Sequence, residues 1–172
     1  PTPTHTSSPT LGIKAGEHIM WDYPVVDPPL VYVKESTIPG GAGGGAFAAV
    51  DLPAKCLLYK HIGVPVQQGT SYTMRRGGPW IDASDPAGKL VMDDGRRISV
   101  ATFTDAGWRA LDGRGVAWEG NANLSRFFNE LPKPAAPGLA SVTYSRGWWK
   151  TTRAVQADEE LFFYSYGRSF WG

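Results

Sequence analysis

Apolar and polar positions along this chain alternate in short bursts rather than at helical spacing. From Leu30 the stretch "LVYVKES" is β-branched and aromatic, which predicts a strand. "IPGGAGGG" interrupts it. "AFAAV" and "CLLYKHIGVPV" predict further strands, with "DLPAK" turning between them. "SYTM" and "WIDAS" bracket the turn "RRGGP". "KLVM" and "RISVATF" flank "DDGR", where Asp94-Gly95 is a hairpin signal. "ASVTYS" and "WWKTTRAV" predict a pair joined around Arg146 and Gly147, and "ELFFYSYG" predicts a closing strand. The best helix candidate is "FTDAGWRALDG", with Thr104 as N-cap and Gly113 as its end. No internal repeat is present. The pattern predicts a mainly β fold of several small sheets.

Ordered structure is expected to begin near Trp21 or Leu30. Residues 1–20 open with "PTPTHTSSPT" and lack an apolar h-region, so they read as a disordered Pro/Ser/Thr-rich leader rather than a secretory signal. Residues 21–172 are expected to form a single domain. The chain has 172 residues, 42% hydrophobic and 19% charged, enough for one real core. A formal net charge of +1 predicts no direct nucleic-acid readout and no attraction to an acidic membrane. No apolar run approaches the roughly 20 residues needed to span a bilayer. The only cysteine, Cys56, excludes a disulfide framework and a cysteine-built zinc site, and reads as a small buried hydrophobe. His5, His18 and His61 are scattered, so no metal site is expected.

Two stretches carry candidate chemistry. Glycines 43–45 in "GGAGGGAFAAV" could let a ligand touch backbone, since glycine has no Cβ. No Gly-Lys-Ser or Gly-Lys-Thr follows, which argues against a P-loop. Asp51-Leu52-Pro53 leaves little room for the helix of a dinucleotide fold. A flexible linker is the plain alternative. In "NANLSRFFNE", Asn123, Arg126 and Asn129 recur every third residue, which a helical turn with Arg126 outward would also explain. Trp148 and Trp149 are adjacent, so on a strand they face opposite ways. The 7 Trp in this length also fit a β-sandwich binding module with exposed tryptophans.

Taken in order, "STIPGGAGGGAFA", "NLSRFFNE" and "EELFFYSYGRSFW" resemble the opening, R-F-x-N-H and closing motifs of SET-domain protein lysine methyltransferases. "YTM" and "WIDAS" resemble strands between them, and the resemblance runs from Val31 to Trp171. It implies several small sheets around a knot-like core formed by the Arg-Phe-x-Asn segment and the C-terminal strand. It implies methyl transfer from S-adenosylmethionine, leaving S-adenosylhomocysteine, to a lysine of a protein. A histone tail would be the substrate, and nuclear residence would follow. No metal is implied. Gly43, Gly44 and Gly45 would lie against the methionine part of the donor. Arg126 and Phe127 would wall it, and Asn129 and Glu130 would bond it. Phe170 and Trp171 would cap the adenine. Tyr166 matches the catalytic tyrosine. Tyr72 resembles a channel-lining tyrosine, and Tyr164 occupies the position that limits the product, favouring monomethyl-lysine.

The chain departs from the family in five places, one of them an extra residue between Leu161 and Tyr166 relative to the common closing pattern. Glu130 stands where the family has histidine, so any imidazole bond is lost while backbone contacts to adenine could persist. No Pro-Asn follows in "LPKPAAPGLAS". Residues 88–120 look like an insertion, and no cysteine cluster follows the last strand. A SET-like peptide-interaction module with little or no turnover is therefore the alternative function.

Overall fold

Each short strand leaves a row of N–H and C=O groups that must find partners. In the computed structural model, which describes residues 30–40, 43–70, 72–75, 78–120, 124–132 and 137–164, they find them in five small sheets. β1 (Val31–Glu35) and β2 (Gly44–Ala48) pair antiparallel, from Val31 opposite Ala48 to Glu35 opposite Gly44. β3 (Leu57–Lys60) pairs with β12 (Trp148–Thr151), which also pairs with β11 (Val142–Ser145). β6 (Trp80–Asp82) lies between β4 (Val64–Val66) and β5 (Thr73–Arg75). β7 (Lys89–Val91) lies between β8 (Arg97–Ser99) and β9 (Ala117–Glu119). The fifth sheet is parallel: β10 (Asn129–Glu130) beside β13 (Phe162–Phe163). The mainly β expectation holds, with small and mostly antiparallel sheets.

The predicted turns form for the predicted reasons. Arg146 (φ 55°) and Gly147 (φ 87°) are both left-handed, as a two-residue hairpin turn between right-twisted strands requires. Gly95 has φ 88° at the tip joining β7 and β8. The helix α1 (Asp105–Ala110) starts at Thr104, whose hydroxyl accepts from Gly107 N at 3.3 Å.

Three expectations change. Gly44 and Gly45 do not interrupt the sheet but belong to β2. "CLLYKHIGVPV" is two strands, broken at His61–Gly63, where a Cβ on Gly63 would collide with the Asp82 carbonyl. Among the described residues of the closing stretch, Phe162–Phe163 form a strand and Glu160 makes a bridge to Phe47, and the remainder from residue 165 lies outside the described residues.

The core gathers residues from all parts of the described chain. Trp149 is 1% exposed and Trp148 half-buried, as opposite strand faces require. The Trp149 ring meets Phe128 at 5.0 Å and Tyr144 and Phe163 at 5.5 Å. It therefore joins β12, the approach to β10, and β13. Trp149→Ala is expected to cost about 3–5 kcal/mol, the usual loss for a buried large aromatic. Urea unfolding of the variant against the parent checks this, and a loss under about 1 kcal/mol would contradict the central place given to this ring.

Candidate functional site

Residues 158–161 run alongside β2. Asp158 N donates to Ala48 O (2.7 Å), Ala48 N to Glu159 O (3.0 Å) and Leu161 N to Ala46 O (2.8 Å). β2 is thus flanked by β1 on one side and the closing segment on the other. This places the Glu160 carboxylate in the interior, 6% exposed. A buried carboxylate needs donors, and four reach it. Oε1 accepts from Thr37 N (2.7 Å) and Thr37 Oγ1 (2.6 Å). Oε2 accepts from Ser36 Oγ (2.7 Å) and Asn129 Nδ2 (3.3 Å). The same Asn129 amide donates to Gly44 O at 3.1 Å. The three stretches singled out in the sequence therefore converge on one carboxylate. Glu160, Ser36 and Thr37 were not among the expected site residues, although their motifs were. A charged residue within a predicted strand was the available signal.

The glycines serve this packing. A Cβ on Gly45 would strike Glu160 Oε2, and one on Gly44 would enter the Trp108 ring. Gly43 (φ +79°) has Trp108 Nε1 at 3.6 Å from its Cβ position. The Cβ directions of Gly44 and Gly45 are thus filled by this chain's own Trp108 and Glu160.

Phe127 is buried between Trp108 (6.2 Å, edge-to-face) and Trp118 (5.3 Å, edge-to-face). Arg126 donates from Nη1 to Ser84 O, and its guanidinium stands over Tyr72 (4.8 Å), Phe127 (5.0 Å) and Trp118 (5.9 Å). Burial lowers the Arg126 pKa, and Tyr72, Asp85 and Asp82 oppose that effect. The helical-turn alternative is met in part: Ser125–Phe127 is a 3₁₀ turn, but Arg126 points inward onto rings rather than outward. Tyr72 and Tyr164 are exposed. Tyr166, Phe170, Trp171 and Asn123 lie outside the described residues. Among the described residues no cluster of His, Cys, Asp and Glu could hold a metal, and no helix is long and apolar enough to cross a membrane.

His61 was set aside as scattered, yet it is buried and connects three elements. Trp149 Nε1 can only donate, so it fixes Nδ1 of His61 as an acceptor at 3.3 Å. Ser125 Oγ adds a second contact to Nδ1 at 3.2 Å. Nε2–H then donates to Ile81 O at 3.0 Å. Burial pulls the imidazole pKa from 6.5 down to about 4.

Two outcomes follow from this geometry. Glu160→Ala leaves four donors without their acceptor and is expected to cost at least about 3 kcal/mol. Denaturant unfolding measures it, and a near-neutral result would remove Glu160 from its central position. For His61, the folded pKa lies below the unfolded one, so the unfolded chain takes up the proton first as pH falls. Its contribution is complete above pH 6.5, is lost as pH falls from 6.5 to about 4, and stays flat below. The loss amounts to about 3 kcal/mol at most. In His61→Gln that component of the acid dependence should vanish, and an unchanged pH–stability curve would refute it.

No protein-family profile matches the chain, and no curated protein matches it. Among solved structures it is similar to chains of the Polycomb Repressive Complex 2 of Chaetomium thermophilum. One crystal structure of that complex aligns at 18% identity and TM-score 0.43, over 81% of this chain and 15% of that one. The complex in an autoinhibited conformation bound to S-adenosylmethionine aligns at 20% identity and TM-score 0.41, over 83% and 16%. A humanized mutant bound to an inhibitor aligns at 17% identity and TM-score 0.43, over 83% and 15%. The chain spans about 15% of the length of the chains it resembles.

Proposed function

We propose that this chain transfers a methyl group from S-adenosylmethionine to the side-chain amine of a lysine in a protein, with a histone tail as substrate, a nuclear setting and monomethyl-lysine as main product. The observation that carries the reading is the convergence on Glu160. The S-T of the opening motif, the Asn of "RFFN" and the closing "EEL" meet on that carboxylate. "RFFN" and the closing stretch also run side by side, Asn129 opposite Phe162 and Glu130 opposite Phe163. A flexible linker or a set of unrelated strands gives no reason for those motifs to share one centre. The knot-like arrangement of these two segments belongs to this proposal.

The residues present fit such a donor at one position: Glu130 Oε2 is a buried acceptor with no hydrogen-bond partner among the described residues. When bound, the donor supplies an electrophilic methyl on a sulfonium, whose C–S bond breaks as the N–C bond to lysine forms, leaving a thioether. The chain's part is alignment of two reactants, which can supply much of the rate. Its aromatic residues also disfavour the charged form of an entering lysine by desolvation, which helps the amine lose its proton. In this reading Tyr72 and Tyr164 belong to the lysine channel, Tyr166 acts at the transferring methyl, and Phe170 and Trp171 cover the adenine. Arg126 and Phe127 wall the donor, and the backbone of Gly43, Gly44 and Gly45 meets its methionine part.

Calorimetry with S-adenosylhomocysteine, followed by mass spectrometry of histones and total cell protein incubated with S-adenosylmethionine, tests the reading. Binding and methyl-lysine are expected, and no binding overturns it. Binding without transfer to any basic peptide favours a peptide-interaction module instead. Tyr164→Phe is expected to move product toward di- and trimethyl-lysine, because a hydroxyl that holds the amine, worth on the order of 1 kcal/mol, is gone. Tyr166→Phe should lose most activity without changing product class. Abundant trimethyl-lysine from the unsubstituted chain would show that Tyr164 is not the product-limiting residue.

A further inference from the structure

Trp108 is the buried side chain of α1, 4% exposed, and its indole lies against two consecutive glycines. A Cβ on Gly44 would stand 2.5 Å from the ring, and the Cβ position of Gly43 lies 3.6 Å from Nε1. The ring also meets Phe127 edge-to-face at 6.2 Å and Phe103 at 4.9 Å. The proposed reading gives the backbone of Gly43 and Gly44, and the wall formed by Phe127, to the methyl donor. One indole holds both. Two groups cannot fill the same space against the same backbone, so ring and donor exclude each other there. Trp108 comes from residues 88–120, the insertion for which the family resemblance has no counterpart.

The ring is carried by an element able to leave. α1 spans six residues, well short of the roughly 12–15 that an isolated helix needs to hold its shape. Asp105, Ala106, Arg109 and Ala110 are exposed and Gly107 is half-buried, so Trp108 supplies the hold of the helix on the glycine strand. The start of the helix is secured by Thr104, itself exposed, whose hydroxyl accepts from Gly107 N. Leu111, buried just after the helix, anchors its far end, and the chain turns away through Asp112 (φ 51°) and Gly113 (φ 80°). Swinging the indole out exposes a large apolar surface to water, and that cost keeps the closed form dominant.

We infer that Trp108 is an autoinhibitory side chain, which covers the glycine strand in the donor-free protein and swings out to admit the methionine part of the donor. This rests on the methyltransferase reading and adds to it a regulatory element carried by the inserted segment. A donor that binds only the open form has its affinity lowered by the fraction of molecules that are open. Loosening α1 therefore strengthens donor binding. A Trp108 that merely supported the site would act in the opposite direction, since its loss would disorder the strand and weaken binding.

Calorimetry and fluorine NMR on the full chain test the inference, with S-adenosylhomocysteine as the probe. Thr104→Ala removes the cap of α1 at an exposed position away from the glycines, and should bind about threefold more tightly than the parent. Trp108→Ala removes the ring itself and should bind about tenfold more tightly. If Trp108→Ala does not fold, Thr104→Ala decides. In the chain labelled with 5-fluorotryptophan, the Trp108 resonance is the one of seven that is missing from Trp108→Phe. It should move toward the position of a solvent-exposed tryptophan as ligand is added. Thr104→Ala, or a folded Trp108→Ala, binding no more tightly than the parent overturns the inference. So does a Trp108 resonance that stays in place while calorimetry shows the parent saturated, and the functional reading then stands. Absence of binding by the parent and by both variants overturns the functional reading itself, which separates the two failures.

Discussion

A carboxylate taken out of water must be given donors, and Glu160 collects its own from segments far apart in the chain. Ser36 lies 124 positions away and Asn129 lies 31 away. Hydrogen bonds to a charged acceptor are stronger than neutral ones. One ionised group held by four donors therefore fixes the relation of the "STI" turn, β2, β10 and the closing segment together. The requirement propagates. Residue 45 has to be glycine because the carboxylate occupies its Cβ position. Asn129 has to present its amide nitrogen, because both of its partners are acceptors. Thr37 has to contribute both backbone N–H and hydroxyl.

Around that polar centre, aromatic rings fix the remaining distances. Phe127 and Phe128 are adjacent and serve opposite neighbours. Phe127 packs on Trp108 and Trp118, both from residues 88–120. Phe128 packs on Tyr59 and Trp149, from β3 and β12. The stretch between Ser125 and Glu130 is thus the seam along which the segment 88–120, with its β8–β7–β9 sheet, and the β3–β12–β11 sheet are held. His61 secures the start of that seam by contacting Ser125 and Trp149 through one nitrogen and Ile81 through the other. Its neutral form is the one compatible with Trp149, because a second N–H would face the indole N–H.

The parts of this architecture that could be read from sequence are those with local causes. β1, β6, β7 and the β11–β12 hairpin follow from side-chain alternation and from turn residues able to take positive φ, such as Arg146-Gly147. The glycine run was expected to break the sheet because glycine packs poorly in strands. Tertiary neighbours overrode that preference, since Trp108 and Glu160 press on Gly44 and Gly45 and need backbone without side chains. β9 was absorbed into the insertion and not foreseen. A two-residue parallel pair such as β10–β13 has no periodicity to detect. The order of the motifs singled out the segments that meet, but not Glu160 as the meeting point. Convergence of Ser36, Thr37 and Asn129 on one atom pair is a property of three-dimensional closure. His61 was missed for the same reason, as its partners are 20, 64 and 88 positions away.

The two glutamates nearest the parallel pair make opposite use of the same chemistry. Glu160, just before β13, is fully satisfied by the protein, and its burial stabilises the fold through its donors. Glu130, on β10, has an enclosed oxygen with no hydrogen-bond partner among the described residues. If burial alone governed this segment, an apolar residue at 130 would pack at lower cost, as replacement of buried charge by apolar side chains of similar volume generally does. An unsatisfied acceptor beside a completed hydrogen-bond centre is therefore a local cost that the rest of the fold offsets. Asn129 is pinned on one face of β10 by Gly44 and Glu160, so Glu130, the next residue of the strand, projects to the other face.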